Sequence, residues 1–245
     1  MPGVTVSFKP TKKQLDLTEK WLLEENNSGK GFYCNWRVIK SAHSQKRMAI
    51  IKQENQPVGF AIWQQERSTA TLDILEIKPT HRNQGLCRIF IKELFRHFIE
   101  RAIYVLDLQC SPAESEAVWR KLGFIDFPPT FYDVHPGNRS LYKILQPQTQ
   151  STETEEANEV IALWNDEPYL VKGRAPYKIL KLTFKDGTRE LIDPVIYPCH
   201  PDWQISWRIN KEEIQTKKAK YFINGDYLFD RFIIITSLPD VHPFV

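Results

Sequence analysis

Apolar positions fall at helical spacing in some stretches of the chain and alternate with polar ones in others. Thr11-Lys-Lys-Gln14 has the spacing of a capping box and precedes an amphipathic run through Trp21-Leu-Leu23, which the polar turn Asn26-Asn-Ser-Gly29 ends. Residues 47–54 and 58–63 read as two strands joined across Asn55-Gln56-Pro57, and residues 71–77 as a third. Beyond them Cys87, Phe90, Ile91, Leu94, Phe95 and Phe98 share one arc of a helix, with Arg88, Lys92, Arg96 and Glu100 on the other side. A single apolar stripe of this kind packs on a sheet. Tyr104–Gln109 is a short strand signal, and a helix then runs from Ser111-Pro112 to Trp119-Arg-Lys-Leu-Gly123. Pro112 suits its first turn and Gly123 its C-cap.

The pattern changes after the next strands. Residues 146–159 carry one apolar residue besides proline and no periodicity, so they read as a linker. Residues 160–245 read as a separate small β-rich domain. In it Tyr177–Phe184 and Trp203–Ile209 alternate, Lys185-Asp-Gly-Thr188 is a hairpin turn with Glu190 opening the return strand, and Arg231–Ile235 reads as a buried strand. The charged run Lys211–Lys220 is expected to form a short helix.

The most informative stretch is Leu72–Phe90, where a strand ends at Pro79, a polar turn follows, and Gly85 stands at the start of a helix. Such a turn aims free backbone N–H groups and the positive end of a helix dipole at one point, which suits a phosphate. Arg82-x-x-Gly85-x-Cys87 resembles the (Gln/Arg)-x-x-Gly-x-(Gly/Ala) signature of the GNAT superfamily of acyl-CoA-dependent N-acetyltransferases. Lys121-Leu-Gly-Phe124 is similar to a second motif of that family, in the right order and at the usual separation from Gly85. The resemblance covers residues 1 to about 145. It implies an α/β (α+β) fold: a mixed, mostly antiparallel splayed sheet flanked by helices. It also implies acetyl-CoA as co-substrate, held by Ile77, Arg82, Asn83, Gln84, Gly85, Leu86, Cys87 and Arg88. Three positions depart from the pattern. Cys87 stands where Gly or Ala is usual, Pro112 replaces an Asn, and Trp119 replaces the Tyr that often protonates the departing thiolate. An indole N–H cannot serve as a general acid near neutral pH.

The implied chemistry is acetyl transfer to a primary amine by direct attack in a ternary complex. A lysine-like amine is mostly protonated at neutral pH, its reference pKa being about 10.4, so a base or a desolvating pocket must take its proton. Asp73 and Glu76 lie on the central strand, on opposite faces if alternation holds, and Glu76, nearer the C-terminal end, is the preferred base. An exposed carboxylate, or one paired with Lys78, is the competing reading of Glu76. A backbone N–H near Ile77 is expected to polarise the thioester carbonyl. Tyr132 and Tyr142 are general-acid candidates by residue type, and His135 a second candidate base. Residues 128–137 and 29–36, both aromatic, match the walls of the family's acceptor site.

Composition narrows the setting. Residues 1–145 hold 21 Lys and Arg against 15 Asp and Glu, a net of +6, whereas the remainder nets −3. The excess suits polyanionic coenzyme A and equally an acidic or nucleic-acid partner. Cys34, Cys87, Cys110 and Cys199 are scattered without Cys-x-x-Cys spacing, so neither disulfides nor a metal site are expected. No apolar stretch approaches a membrane span and no secretory signal is visible, so a cytoplasmic protein is expected. The acceptor stays open among small molecules, protein amines and aminoacyl-tRNA, and a homodimer is compatible with the reading. The rival class is a coenzyme A-binding GNAT-fold module with weak or no catalysis, acting through protein or RNA binding by the C-terminal domain. An unrelated α/β nucleotide-binding protein explains Gly85 but not Lys121-Leu-Gly-Phe124.

Overall fold

The computed structural model describes residues 3–26, 31–128, 139–149, 151–152, 158–229 and 231–240. The chain divides into two compact units, residues 1–126 with 135–145, and residues 127–134 with 146–245.

The first unit runs β1 (Val4–Ser7), α1 (Lys12–Asn26), α2 (Trp36–Ser44), β2 (Met48–Gln53), β3 (Gln56–Glu66), β4 (Thr69–Ile77), α3 (Leu86–Ile99), β5 (Val105–Gln109), α4 (Glu116–Lys121), β6 (Ile125–Asp126) and β7 (Ser140–Ile144). Its seven strands form one sheet in the order β1-β2-β3-β4-β5-β7-β6. Only the β4–β5 pair is parallel; the others are antiparallel. This is the GNAT-like mixed sheet flanked by helices. The capping box forms as the sequence implies: Thr11 N–H donates to Gln14 Oε1 (2.9 Å) and Gln14 N–H to Thr11 Oγ1 (3.3 Å).

Both faces of the sheet are covered, which is why β2 and β3 read as unbroken apolar runs. Ala49, Ile51, Ala61 and Trp63 pack with Phe90, Ile91, Leu94 and Phe98 of α3. Their sequence neighbours Met48, Ile50, Phe60 and Ile62 pack with Leu15, Trp21 and Leu22 of α1 and Ile39 of α2. The β2–β3 turn is one residue tighter than expected. Glu54 and Asn55 both take positive φ (50° and 64°), the two-residue geometry that matches strand twist, and Gln56–Pro57 already lie in β3.

The second unit holds β8 (Ser151–Thr152), β9 (Glu159–Leu163), β10 (Lys178–Lys181), β11 (Glu190–Pro198), β12 (Gln204–Ile209), β13 (Glu212–Lys218), β14 (Leu228–Phe229) and β15 (Phe232–Ser237). They form a five-stranded sheet, β13-β12-β9-β10-β8, and a three-stranded sheet, β11-β15-β14. Ile161, Leu163 and Trp207 of the larger sheet share a core with Val195, Ile233 and Ile235 of the smaller. The expected helix at Lys211–Lys220 is instead the strand β13. Asn210 and Lys211 take positive φ (50° and 71°) and reverse the chain in two residues, which leaves Glu212–Lys218 to pair with β12. Charged pairs at both ends, Glu212-Glu213 and Lys217-Lys218, concealed the period of two. The segment read as a linker also contributes structure: Ser151–Thr152 pairs with β10, and Glu159 begins β9.

Candidate active site

The site begins with an interrupted ladder. β4 pairs with β5 from Thr69 to Leu72 and then runs on alone on that side to Ile77. On the other side it stays paired with β3, and Lys78 N–H donates to Val58 O (2.8 Å). Backbone groups alternate direction along an antiparallel strand, so the N–H of Ile77, one residue earlier, points away from β3 and into the gap. Gly59 lets β3 lie this close. A Cβ there would meet Glu76 O and Ile77 Cδ1 at 2.6 Å.

Beyond Ile77 the chain makes a short 3₁₀ turn at Pro79–His81, passes through Asn83 (φ 61°) and Gly85 (φ 75°), and enters α3 at Leu86. The left-handed conformation at Gly85 is what calls for glycine. No side chain caps α3, so its first N–H groups are available to a ligand. Between the β4–β5 gap, this turn and α4 lies a cavity of about 640 Å³. Of the expected cofactor residues, Ile77, Arg82, Asn83, Gly85, Leu86, Cys87 and Arg88 line it. Gln84 does not; its amide turns back toward Thr80 O at 3.4 Å. Leu86 is almost wholly buried, which leaves its backbone to serve. The lining combines backbone donors, Arg88 and Lys121 with the apolar side chains of Leu72, Leu108 and Leu122, a mixture that fits a ligand with phosphates and a long apolar arm such as coenzyme A.

Glu76 is buried, and Arg82 Nη2 forms a close ion pair with its Oε1. The same guanidinium donates from Nε to Ile77 O (2.9 Å) and lies 4.0 Å from Glu25 Oε1 on α1. Burial raises the Glu76 pKa above the ordinary carboxylate value; the Arg82 bond opposes this and Glu25 adds to it. Glu25 is raised as well, by burial first, against Arg82 and Lys78. The half-buried Cys87 thiol is pushed up by burial and by the charge of Glu76. Lys78, the competing partner for Glu76, is replaced by Arg82.

Asp73 breaks the alternation. The β3–β4 register passes from Ile62 opposite Ile74 to Trp63 opposite Leu72, which leaves Asp73 as an extra residue in a bulge. Strict period two does not carry across a bulge, so Asp73 and Glu76 are not held on opposite faces, and both line the cavity. Partial desolvation raises the Asp73 carboxyl, against a bond from Gln64 Nε2 (3.2 Å).

Trp119 ends α4. Gly123 (φ 87°) donates to Arg120 O (3.0 Å) and Phe124 N–H to Trp119 O (3.2 Å), a Schellman motif. Its hydrophobic contact is the edge-on packing of the Trp119 and Phe124 rings, 5.4 Å between centroids. Pro112 is extended (ψ 163°) and precedes a 3₁₀ turn at Ala113–Ser115, so it stands ahead of α4 rather than in its first turn. Tyr142 is buried in β7. Tyr132 and His135 lie outside the described residues. Of the expected acceptor wall, Phe32 lines the cavity, and Tyr33 stacks on the buried Trp36. Sequence reasoning missed Glu25, which no motif links to Glu76. It also missed Gly59, whose place inside a strand was the available signal.

Residues 15–124 match the model of the acetyltransferase (GNAT) family. Among solved structures, Ard1 from Thermoplasma volcanium shares 14% identity over 59% of this chain and 99% of its own, with a TM-score of 0.48. The ribosomal-protein-S18-alanine N-acetyltransferase from Escherichia coli shares 19% over 62% and 97%, with a TM-score of 0.42. A GNAT-family acetyltransferase from Bacillus cereus shares 18% over 58% and 96%, with a TM-score of 0.45. At these identities and scores the likeness extends to neither substrate nor partner. No curated protein matches the chain in sequence. Residues 15–124 carry a GNAT acetyltransferase domain, the family to which the turn at Gly85 and the helix end at Gly123 both pointed.

Proposed function

We propose that this protein transfers an acetyl group from acetyl-CoA to a primary amine by direct attack in a ternary complex. The observation that carries the reading is a single cavity bordered by the β4–β5 gap, the N-terminal turn of α3 and a buried carboxylate. Acetyl-CoA supplies an activated acyl group there. Asn83, Gly85, Leu86, Cys87 and Arg88 bind its pyrophosphate through backbone N–H groups, and the Ile77 N–H polarises the carbonyl under attack. Glu76 takes the proton that the ammonium must lose before it attacks, directly or through water, and its raised pKa makes it the stronger base for that task. Asp73 is the alternative base. The raised pKa of Cys87 keeps its thiol protonated, which favours direct transfer over an acyl-cysteine relay. Tyr132 is the proposed proton donor to the leaving thiolate. The transferase unit is proposed to comprise residues 1–145, with residues 160–245 as a β-rich domain of separate role.

One observation favours a second reading. Trp119 is committed to the end of α4 and gives the cavity no phenol, as a coenzyme A-binding module with weak chemistry would permit. Screening pools of amines for free-thiol release from acetyl-CoA, beside calorimetry with coenzyme A, separates the two. Turnover with some amine supports the enzyme. Tight binding without turnover on any amine supports the module, and absence of binding overturns both.

A further inference from the structure

Arg82 belongs to the turn that forms the phosphate cradle, yet its side chain is not committed to the turn. It reaches back along β4, where Nε bonds Ile77 O (2.9 Å) and Nη2 pairs with Glu76. The guanidinium also lines the cavity and is half-exposed, so it contacts the buried carboxylate while staying open to the cavity that would hold the phosphates. It is the sole cation in contact with Glu76 among the described residues; the other groups bearing on that carboxylate are Glu25 from α1 and the thiol of Cys87 from the first turn of α3. Lys78 acts on Glu25, and Arg47 acts on Asp73 farther down β4.

We infer that Arg82 is a positioning residue that couples cofactor occupancy to the basicity of Glu76, one guanidinium serving the carboxylate and the pyrophosphate in exchange. The inference rests on the reading of the turn as a pyrophosphate cradle and of Glu76 as the base. Two anionic groups compete for one fork of donors, and the phosphate oxygens are the more accessible of the two. Drawing the guanidinium toward the turn takes that cationic contact from Glu76 and leaves it desolvated beside Glu25. Both effects favour the protonated form and so strengthen the carboxylate as a base. The carboxylate then becomes an efficient proton acceptor once the cofactor is in place. Linkage requires the reciprocal effect. Protonation of Glu76 frees Arg82, so coenzyme A must bind more tightly as pH falls through the Glu76 titration.

The test uses the full chain with ¹³C-carboxyl-labelled glutamate. Loss of one resonance in Glu76→Gln assigns Glu76, and its titration is followed by NMR with and without coenzyme A. In the wild type the midpoint is expected to move up on binding. Calorimetry should show proton uptake and an affinity gain of about tenfold across the titration, the low end of what an adjacent opposite charge does to a carboxylate. In Arg82→Gln the midpoint should start higher and coenzyme A should move it little. Arg82→Lys, which keeps the charge, should restore most of the displacement and so separate coupling from loss of turn structure. A wild-type midpoint that coenzyme A leaves in place overturns the inference. So does an equal displacement in Arg82→Gln, which would assign it to direct repulsion by the phosphates. A displaced midpoint in a protein that acetylates no amine would sustain the coupling and sink the enzyme reading. Failure to bind coenzyme A sinks both.

Discussion

Two of the molecule's glutamate–arginine pairs, Glu159–Arg189 and Glu76–Arg82, differ in how completely they are closed. In the second unit Glu159 receives both arms of Arg189 (2.6 and 3.1 Å) and the indole N–H of Trp207 (2.7 Å). That guanidinium lies over the Phe184 ring at 4.1 Å. Trp207 comes from β12, the neighbour of β9, and Arg189 from the residue that immediately precedes β11. In the first unit Glu76 has one arm of Arg82, a second carboxylate near the same arginine, and a cavity beside it. A buried ion pair is stable when hydrogen bonds saturate both ions, and costly when they do not. Both Glu159 oxygens are bonded, though Arg189 Nε has no hydrogen-bond partner among the described residues, so the closed pair ties β9 to the chain entering β11. The open pair keeps an incompletely compensated charge where a ligand can act on it.

The comparison breaks most sharply at the turn beside the open pair. Gly85→Glu forces a side chain into left-handed backbone and adds negative charge at the helix end, so coenzyme A binding should fall below detection in calorimetry while far-UV circular dichroism is unchanged. Glu159→Ala strands Arg189 and Trp207 Nε1, and should cost about 3 kcal/mol in chemical denaturation with coenzyme A affinity preserved. Glu76→Gln should do the reverse. Stability should hold or rise, because a desolvated charge beside Glu25 is removed, while turnover drops on the order of 100-fold. That defect should shrink as pH rises, since more of the amine then arrives neutral. Glu76→Gln with unchanged turnover would move the base to Asp73, His135 or water.

Smaller effects test the scaffold under the open pair. His97 of α3 stacks on Phe8 at 3.7 Å, and burial, helped by Arg101, lowers its pKa from 6.5 to about 4. The folded ring stays neutral where the unfolded one takes a proton. Stability from this residue is therefore complete above about pH 6.5 and is lost as pH falls toward about 4. After allowance for the partial exposure of the ring, the loss should be on the order of 1–2 kcal/mol, and absent in His97→Phe when melting temperatures at neutral and acid pH are compared. Gly123→Ala should cost about 1 kcal/mol through its positive φ, measurable as a lower melting temperature.

The two units were unequally legible. The turn at Arg82–Cys87 and the end of α4 could be read because they depend on local rules: a left-handed glycine, a capped helix, an apolar stripe. The partner of Glu76 could not be read the same way. Arg82 was assigned to the phosphate, and only coordinates show it turned onto the strand behind it. Glu25 is distant in sequence and carries no motif, so proximity had to come from the fold. The bulge at Asp73 depends on strand register, which hydrophobic alternation does not encode at a single extra residue. In the second unit the hairpin at Lys185–Thr188 was plain, whereas β13 was hidden because a strand of charged residues looks like a solvated helix face until its partner is known.

The early end of the β4–β5 ladder has a consequence in time as well as space. Peptide hydrogens in the interior of a sheet ordinarily exchange with solvent only through large openings, whereas those on its rim exchange through small ones. The Ile77 amide occupies the interior by strand order and the rim by bonding. It should exchange in deuterated water far sooner than the Ile51 and Ala61 amides deeper in the same sheet. Whatever ligand bonds to that edge would slow it, making this one amide a clock for occupancy of the gap.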